Sequence, residues 1–206
     1  MIIDTAQQNT DEWFHARSGV VTASNFAKVM SKGRGKAPSL TRMGYMRKLA
    51  TEIITERPVT EDFKSKWMEG GNEREAESRE YYTIVSKNTV DQVGLIYLNE
   101  LKRIGASVDG LIGGDGQQEL KNPKLVTHVG YLLDDVLPAT YKKQVQGQLW
   151  VTGREWCDFA SYHPDSHKMI FIKRVERDDD FIKEISEAVY QFIGELDVLV
   201  EKMRTL

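Results

Sequence analysis

Apolar periodicity divides the chain into a helical first third, a strand-rich middle and a long terminal helix. Across residues 41–56, Met43, Met46, Leu49, Ile53 and Ile54 recur every three or four positions, which predicts an amphipathic helix closed by Pro58. Upstream, Thr22 or Ser24 is placed to cap a helix beginning near Asn25, and SKGRGKAPS reads as a flexible basic loop. The good helix formers of GNEREAESREYY predict a helix over about 63–82, with a break or a close backbone approach at Gly70 and Gly71. From Thr89 to Leu125 the texture changes to VGLIYL, RIGASVDGLI and QELKNPK, predicted as three strands of one sheet. GGDGQQ supplies a hairpin turn between the second and third, since Gly113, Gly114 and Gly116 tolerate positive φ. A helix over about 138–151, strands at REWCDFASYHP and HKMIFIKRVER, and a final helix over 179–204 complete the chain. On that last helix Phe181, Ile185, Val189, Phe192, Leu196 and Leu199 form one apolar stripe, most simply a core face.

The 206 residues, 40% hydrophobic and 29% charged, suffice for one substantial core and fall short of two ordinary domains. No internal repeat, low-complexity tail or linker marks a second unit, so a single α/β domain is expected. No run approaches the roughly 18 apolar residues that span a bilayer. The opening MIIDTAQQNTDEW lacks the basic start and apolar core of a secretory signal, so a cytoplasmic protein without membrane contact is expected. The single cysteine, Cys157, excludes an internal disulfide framework, a four-cysteine zinc site and a cysteine-held iron–sulfur cluster. Any metal would be held mainly by oxygen or histidine.

The formal charge of −3 argues against a uniformly basic nucleic-acid binder, yet charge is segregated. Residues 13–51 contain no Asp or Glu but carry Arg17, Lys28, Lys32, Arg34, Lys36, Arg42, Arg47 and Lys48. Such a block is either a solvated helical face or a phosphate-facing surface on an otherwise acidic protein.

The chemistry concentrates in SVDGLIGGDGQQELK, which holds Asp109, Glu119 and Lys121. On antiparallel strands joined by the glycine turn, Asp109 and Glu119 can approach each other, and Glu119 and Lys121, two apart, share a face. Two carboxylates converging in a poorly solvated place repel, so they demand a cation, and hard oxygen ligands suit Mg²⁺ or Mn²⁺. A neighbouring ammonium can balance charge on a scissile phosphate and orient water. The spacing also arises where Asp109 is a turn residue and Glu119 and Lys121 a solvent-exposed pair. Upstream, GNEREAE puts Glu73 and Glu75 on the predicted helix, and one of them could supply a third carboxylate. Glu73, beside the two glycines, is preferred as the ligand, and Glu75 is read as an ordinary surface glutamate. Downstream, YKKQVQGQLWVTG places Gln144, Gln146 and Gln148 on a helix, either facing solvent or aimed at the site. His15, His128, His163 and His167 lack ligand-like pairing apart from the weak H-x3-H of the last two, and are read as structural or surface residues. Trp150 and Trp156 are read as core.

VD…ELK resembles the PD-(D/E)xK nuclease signature, with Val108 in place of the usual proline. The order W-x-H-x-R-x-G-x-x-T-A-S at 13–24, GNEREAE, SVDG…ELKNP, QVQGQLWVTG and FASYHPD is similar, more closely, to the phage lambda exonuclease family, also described as YqaJ-type viral recombinases. The resemblance implies an α/β PD-(D/E)xK (restriction-endonuclease-like) core, a mixed central sheet flanked by helices. Residues 1–60 would form a helical, basic DNA-end-binding region, and 61–206 the nuclease core and C-terminal helix. It further implies a homotrimeric ring that digests one strand of double-stranded DNA from a 5′ end, with a single-strand annealing protein as partner. By the same resemblance Asp109, Glu119, the Leu120 backbone carbonyl and Glu73 would hold Mg²⁺, two ions per site. Lys121 would position or activate water, and Gln144 would hold the Lys121 region and the nucleophile. Arg17, Ser24 and Ser107 fall on the family's terminal-phosphate pocket. A terminal phosphate carries more charge than an internal diester, so an arginine fork with hydroxyl donors can select an end. The alternatives are a related endonuclease of repair or restriction type and a non-catalytic DNA-binding module.

Overall fold

A computed structural model describes residues 2–33, 37–59 and 66–206, with side chains described from Arg74 onward in the last segment. A short strand β1 (Ile2–Ile3) precedes helix α1 (Asp11–Ala16), strand β2 (Val21–Thr22), a 3-10 turn (Ala23–Asn25) and the one-turn helix α2 (Phe26–Val29). Helices α3 (Leu40–Thr55) and α4 (Lys66–Ser86) lead to strands β3 (Leu95–Tyr97), β4 (Ile104–Ser107), β5 (Gly110–Ile112) and β6 (Gly116–Lys121). Helices α5 (Leu125–Asp134) and α6 (Ala139–Thr152), strands β7 (Trp156–Tyr162) and β8 (Ile170–Glu176), and helix α7 (Asp179–Arg204) follow.

The strands pair in two mixed four-stranded groups, β1-β3-β4-β2 and β5-β6-β7-β8. In the first, β2 runs parallel to β4; in the second, β6 runs parallel to β7, with Lys121 opposite Ser161. RIGASVDGLI, expected as one strand, therefore divides: its first half pairs with β3 and β2, and its second half with β6. The chain crosses between the groups over Ser107–Gly110, so the three strands expected in one sheet belong to two. Asp109 sits at this crossing, its backbone N–H donating to the Gln118 carbonyl at 3.2 Å. The β5–β6 hairpin turns as expected at Gly113, where φ is +52°. The buried Arg154 guanidinium ties that turn down, donating to the carbonyls of Ile112, Gly113 and Gly116 at 2.6–3.2 Å.

Helix α7 buries Ile182, Ile185, Val189, Phe192, Leu196 and Val200. Phe181 and Leu199, expected on the stripe, pack half-buried at its margins. Its facing partner is α3, where Tyr45 stacks on Phe192 with ring centroids 5.7 Å apart. Helix α6 is wedged among β4, β7, α2 and α7, and buries Val145 through Leu149 without a gap. Gly147 permits this, because a Cβ there would lie 2.3 Å from Cδ2 of Phe26.

Three local expectations are corrected. The helix expected near Asn25 is only a 3-10 turn and one α-turn, and neither Thr22 nor Ser24 makes a capping bond. Instead Thr22 Oγ1 accepts from Asn25 Nδ2 at 2.9 Å. The backbone of α4 runs through Gly70 and Gly71 without a break; a helical glycine costs only about 1 kcal/mol, within reach of its strongly helical flanks. Helices α1 and α5 were not foreseen.

Candidate active site

Asp109, Glu119 and Lys121 converge at the open end of the β5–β6 hairpin, opposite its turn. The short crossing delivers Asp109 beside β6, where one carboxylate oxygen accepts the Leu120 N–H at 2.6 Å. The strand's two-residue repeat puts Glu119 and Lys121 on one face, with the Leu120 side chain turned into the core. Glu119 is 1% exposed. Its Oε1 accepts from Gln144 Nε2 at 2.6 Å and pairs with the Lys121 ammonium, and its Oε2 accepts from Gln148 Nε2 at 2.6 Å. The Lys121 ammonium also lies 5.6 Å from the Tyr141 ring centroid. Gln144 thus contacts Glu119, as does Gln148, which the sequence left unassigned.

The electrostatics favour a cation. Burial, then the charge of Glu119, pushes the Asp109 carboxyl up to about 7, although Lys121 and the Leu120 N–H pull the other way and part of the side chain opens to a cleft. Burial opposes the charge on Lys121, yet Glu119 and Asp109 outweigh it and hold the ammonium above the ordinary lysine range. Asp109 therefore lacks a full counter-charge, which a divalent ion bound by Asp109, Glu119 and the Leu120 carbonyl would supply. These donors are all oxygen, the set that suits Mg²⁺ or Mn²⁺. Among the described residues no three His, Cys, Asp or Glu side chains form a ready metal cluster.

The cleft, about 520 Å³, is bordered by Asp109, Glu75, Arg79, Gln8 and Gln92. Glu75 adds to the negative charge felt by Asp109 and pairs with Arg79 at 2.7 Å. Glu75 is half-buried and borders the same cleft as Asp109, rather than lying apart from it. Glu73 belongs to the same helix, and its side chain lies outside the described residues.

On the far side of Ser107, Arg17 Nη1 donates to Ser107 Oγ at 2.8 Å, and its guanidinium sits 4.2 Å over the Trp13 ring. Burial lowers the Arg17 pKa from its ordinary value. Arg17 and Ser107, 90 positions apart, are thus brought together; Ser24 is exposed on the 3-10 turn, with its Oγ 3.4 Å from Thr22 Oγ1. Part of the basic segment is tied up in ion pairs within the chain. Arg42 forms a two-pronged pair with Glu195, and Lys48 pairs with Glu52 at 3.7 Å. Lys32 and Arg47 are exposed, while Arg34 and Lys36 lie outside the described residues. His128 is buried between Ser161 Oγ at 2.8 Å and the Lys168 carbonyl at 2.9 Å, a structural position as expected. Trp150 packs on Phe26 and Tyr190, and Trp156 lies half-buried beneath Arg174.

Mixed sheets flanked by helices, with Asp and Glu-x-Lys meeting across a hairpin, define the PD-(D/E)xK fold class. Within it, the chain belongs to the YqaJ-like viral recombinase family, which matches residues 12–155. It is 37% identical to the alkaline exonuclease (LHK-Exo) of Laribacter hongkongensis, with a TM-score of 0.84 over 95% of this chain and 97% of that one. The structure of LHK-Exo in complex with dAMP gives 0.85 at the same identity and coverage. A phage-related exonuclease from Haemophilus somnus 129PT shares the fold at 15% identity and a TM-score of 0.68, over 89% of this chain and 96% of that one. Protein R354 of Acanthamoeba polyphaga mimivirus is 26% identical over 196 residues, 89% of this chain; the chain spans about a third, 32%, of that protein's length. Among the described residues no helix is long and apolar enough to cross a membrane.

Proposed function

We propose that this protein is a Mg²⁺-dependent exonuclease that digests one strand of double-stranded DNA from a 5′-phosphorylated end, releasing 5′-mononucleotides and leaving a 3′ single strand for recombination. The observation that carries this reading is the placement of two side-chain clusters of different chemistry at the two ends of one short crossing. Asp109, Glu119 and Lys121 lie at one end, and Arg17 with Ser107 at the other. The kinship with an exonuclease, seen also bound to dAMP, a deoxynucleoside monophosphate of the product class proposed, supports it.

In this reading Asp109, Glu119 and the Leu120 carbonyl hold the ions, with Glu75 or Glu73 as the further carboxylate, and Mn²⁺ substitutes for Mg²⁺. Two divalent ions there would neutralise charge at the reacting phosphate. Gln144 and Gln148 hold both oxygens of Glu119, so that carboxylate does not reorient as substrate arrives. The Lys121 ammonium stays protonated throughout the neutral range and donates to a phosphate oxygen. Arg17, Ser107 and Ser24 receive the terminal phosphate, where the guanidinium supplies charge and the hydroxyls supply direction. The assembly proposed is a homotrimeric ring with the basic segment toward its channel, acting with a single-strand annealing protein.

The test uses linear duplexes with and without a 5′ phosphate, closed circular duplex, and Lys121→Ala. Loss of linear DNA alone, faster with the phosphate and absent in the variant, is expected. Nicking of the circle would replace the reading with an endonuclease, and binding without cleavage with a non-catalytic module.

A further inference from the structure

Gln148 touches both clusters. Its Nε2 donates to Glu119 Oε2 at 2.6 Å and to the Ser107 carbonyl at 3.2 Å. Ser107 in turn accepts from Arg17 through its hydroxyl at 2.8 Å. A continuous chain of polar contacts therefore runs from the carboxylate of the hydrolytic centre to the guanidinium of the end pocket. The residue is 1% exposed on the buried face of α6, between Gly147, which packs on Phe26, and the fully buried Leu149. Gln144 offers an internal comparison, since it donates to the other oxygen of the same carboxylate and is not bonded to Ser107.

Ser107 and Asp109 are two residues apart, so their Cα atoms lie at most about 7 Å from each other. That is the length scale of one sugar–phosphate repeat. An enzyme that reads a terminal phosphate and cuts the next phosphodiester must keep its two pockets at that separation. Backbone alone fixes Ser107 relative to Asp109, and Asp109 is bonded to β6 at Gln118 and Leu120, but the direction of the Glu119 side chain is set by its own partners. Among the described contacts, Gln148 is the side chain that bonds both Glu119 and Ser107.

We infer that Gln148 is a positioning residue that sets the distance between the end pocket and the hydrolytic centre, and so fixes the product at one nucleotide per cut. This inference rests on the exonuclease reading above and adds to it a determinant of product length and end discrimination.

The experiment compares wild type, Gln148→Met and Gln144→Met on duplexes bearing a 5′ phosphate or a 5′ hydroxyl. It reads kcat, KM and the lengths of the released products. Both variants lose a hydrogen bond to a charged group, so kcat is expected to fall roughly tenfold or more in each. Only Gln148→Met is expected to lower the phosphate-over-hydroxyl preference, by roughly two- to tenfold for the lost carbonyl bond, and to release dinucleotides among the products. Gln148→Asn is the second variant if the methionine variant does not fold; it keeps a buried amide but is one methylene too short to reach both acceptors, and should show the same loss of preference. Equal preference and unchanged product length in the Gln148 and Gln144 variants would overturn the inference while leaving the exonuclease reading intact. A wild type without end preference would instead overturn the reading on which it rests.

Discussion

Replacing Asp109 with asparagine should make the metal-free protein more stable at alkaline pH, although the change removes a group proposed to be essential. The folded state raises this carboxyl from 3.8 to about 7, through burial and then Glu119. Below about pH 4 the group is protonated whether the chain is folded or not, and carries no penalty. As pH rises from there the unfolded chain ionises first, so stability is lost across the window up to about 7 and stays lost above it. At 1.36 kcal/mol per pH unit, the full window amounts to at most about 4 kcal/mol. Exposure to the cleft and local relaxation reduce this to about 1–3 kcal/mol. Asparagine keeps an acceptor for the Leu120 N–H and removes the charge. Its Tm in chelator at pH 8.5 should exceed wild type by several degrees, at about 2–4 °C per kcal/mol for a chain of this size, with the gap closing near pH 4. Adding Mg²⁺ should reverse the order, because an ion that binds only the folded wild type contributes about 2.7 kcal/mol at a hundred times its Kd. A less stable variant in chelator at pH 8.5, or an equal Mg²⁺ response in both proteins, would refute the account of Asp109 as an uncompensated ligand.

Residues two apart on a helix do not share a face, so only one of Glu73 and Glu75 is expected to serve the metal. Glu75→Gln should weaken Mn²⁺ binding about 10–100-fold by calorimetry, and unchanged affinity would remove Glu75 from the site. Gly147→Ala should destabilise by about 1–3 kcal/mol in urea titration, since its Cβ would press on the buried Phe26 ring at 2.3 Å. An unaffected midpoint would mean that α2 yields without penalty. Tyr82→Phe removes the 2.7 Å bond to buried Asp158, which Arg174 also holds. It should cost about 1.5–3 kcal/mol by the same titration, and a neutral result would show that water replaces the hydroxyl.

The long elements were legible because their periodicity is strong. The final helix begins and ends where its apolar spacing, its first-turn aspartates and its last-turn lysine and arginine place it. The Asp109–Glu119 approach and the shared face of Glu119 and Lys121 followed from the hairpin and the strand repeat, and both are found. Helix α5 was hidden because LVTHVGYLLD carries β-branched residues and a glycine, and Lys124 at its start offers no capping side chain. Helix α1 did carry a signal, since the Thr10 hydroxyl accepts from Trp13 N ahead of Asp11 and Glu12. The division of RIGASVDGLI was not readable, because both halves have strand texture and only long-range pairing separates them. The place of Glu75 beside the Asp109 cleft is unreadable for a related reason: helical phase relative to a distant strand is a tertiary fact. Gln148 could have been suspected from its place three to four residues beyond Gln144 and Val145 on a helix otherwise buried, where an amide needs a partner.

The central claim is that hydrolysis begins at a 5′ end and proceeds inward. The most direct measurement is a single-turnover digestion, with Mg²⁺, of a duplex labelled at the 5′ end of one strand and at the 3′ end of the other, both labels at the same terminus. Release of the 5′ label as a mononucleotide while the 3′ label remains on full-length strand is the predicted result. Early release of the 3′ label, or internal fragments carrying either label, would contradict it.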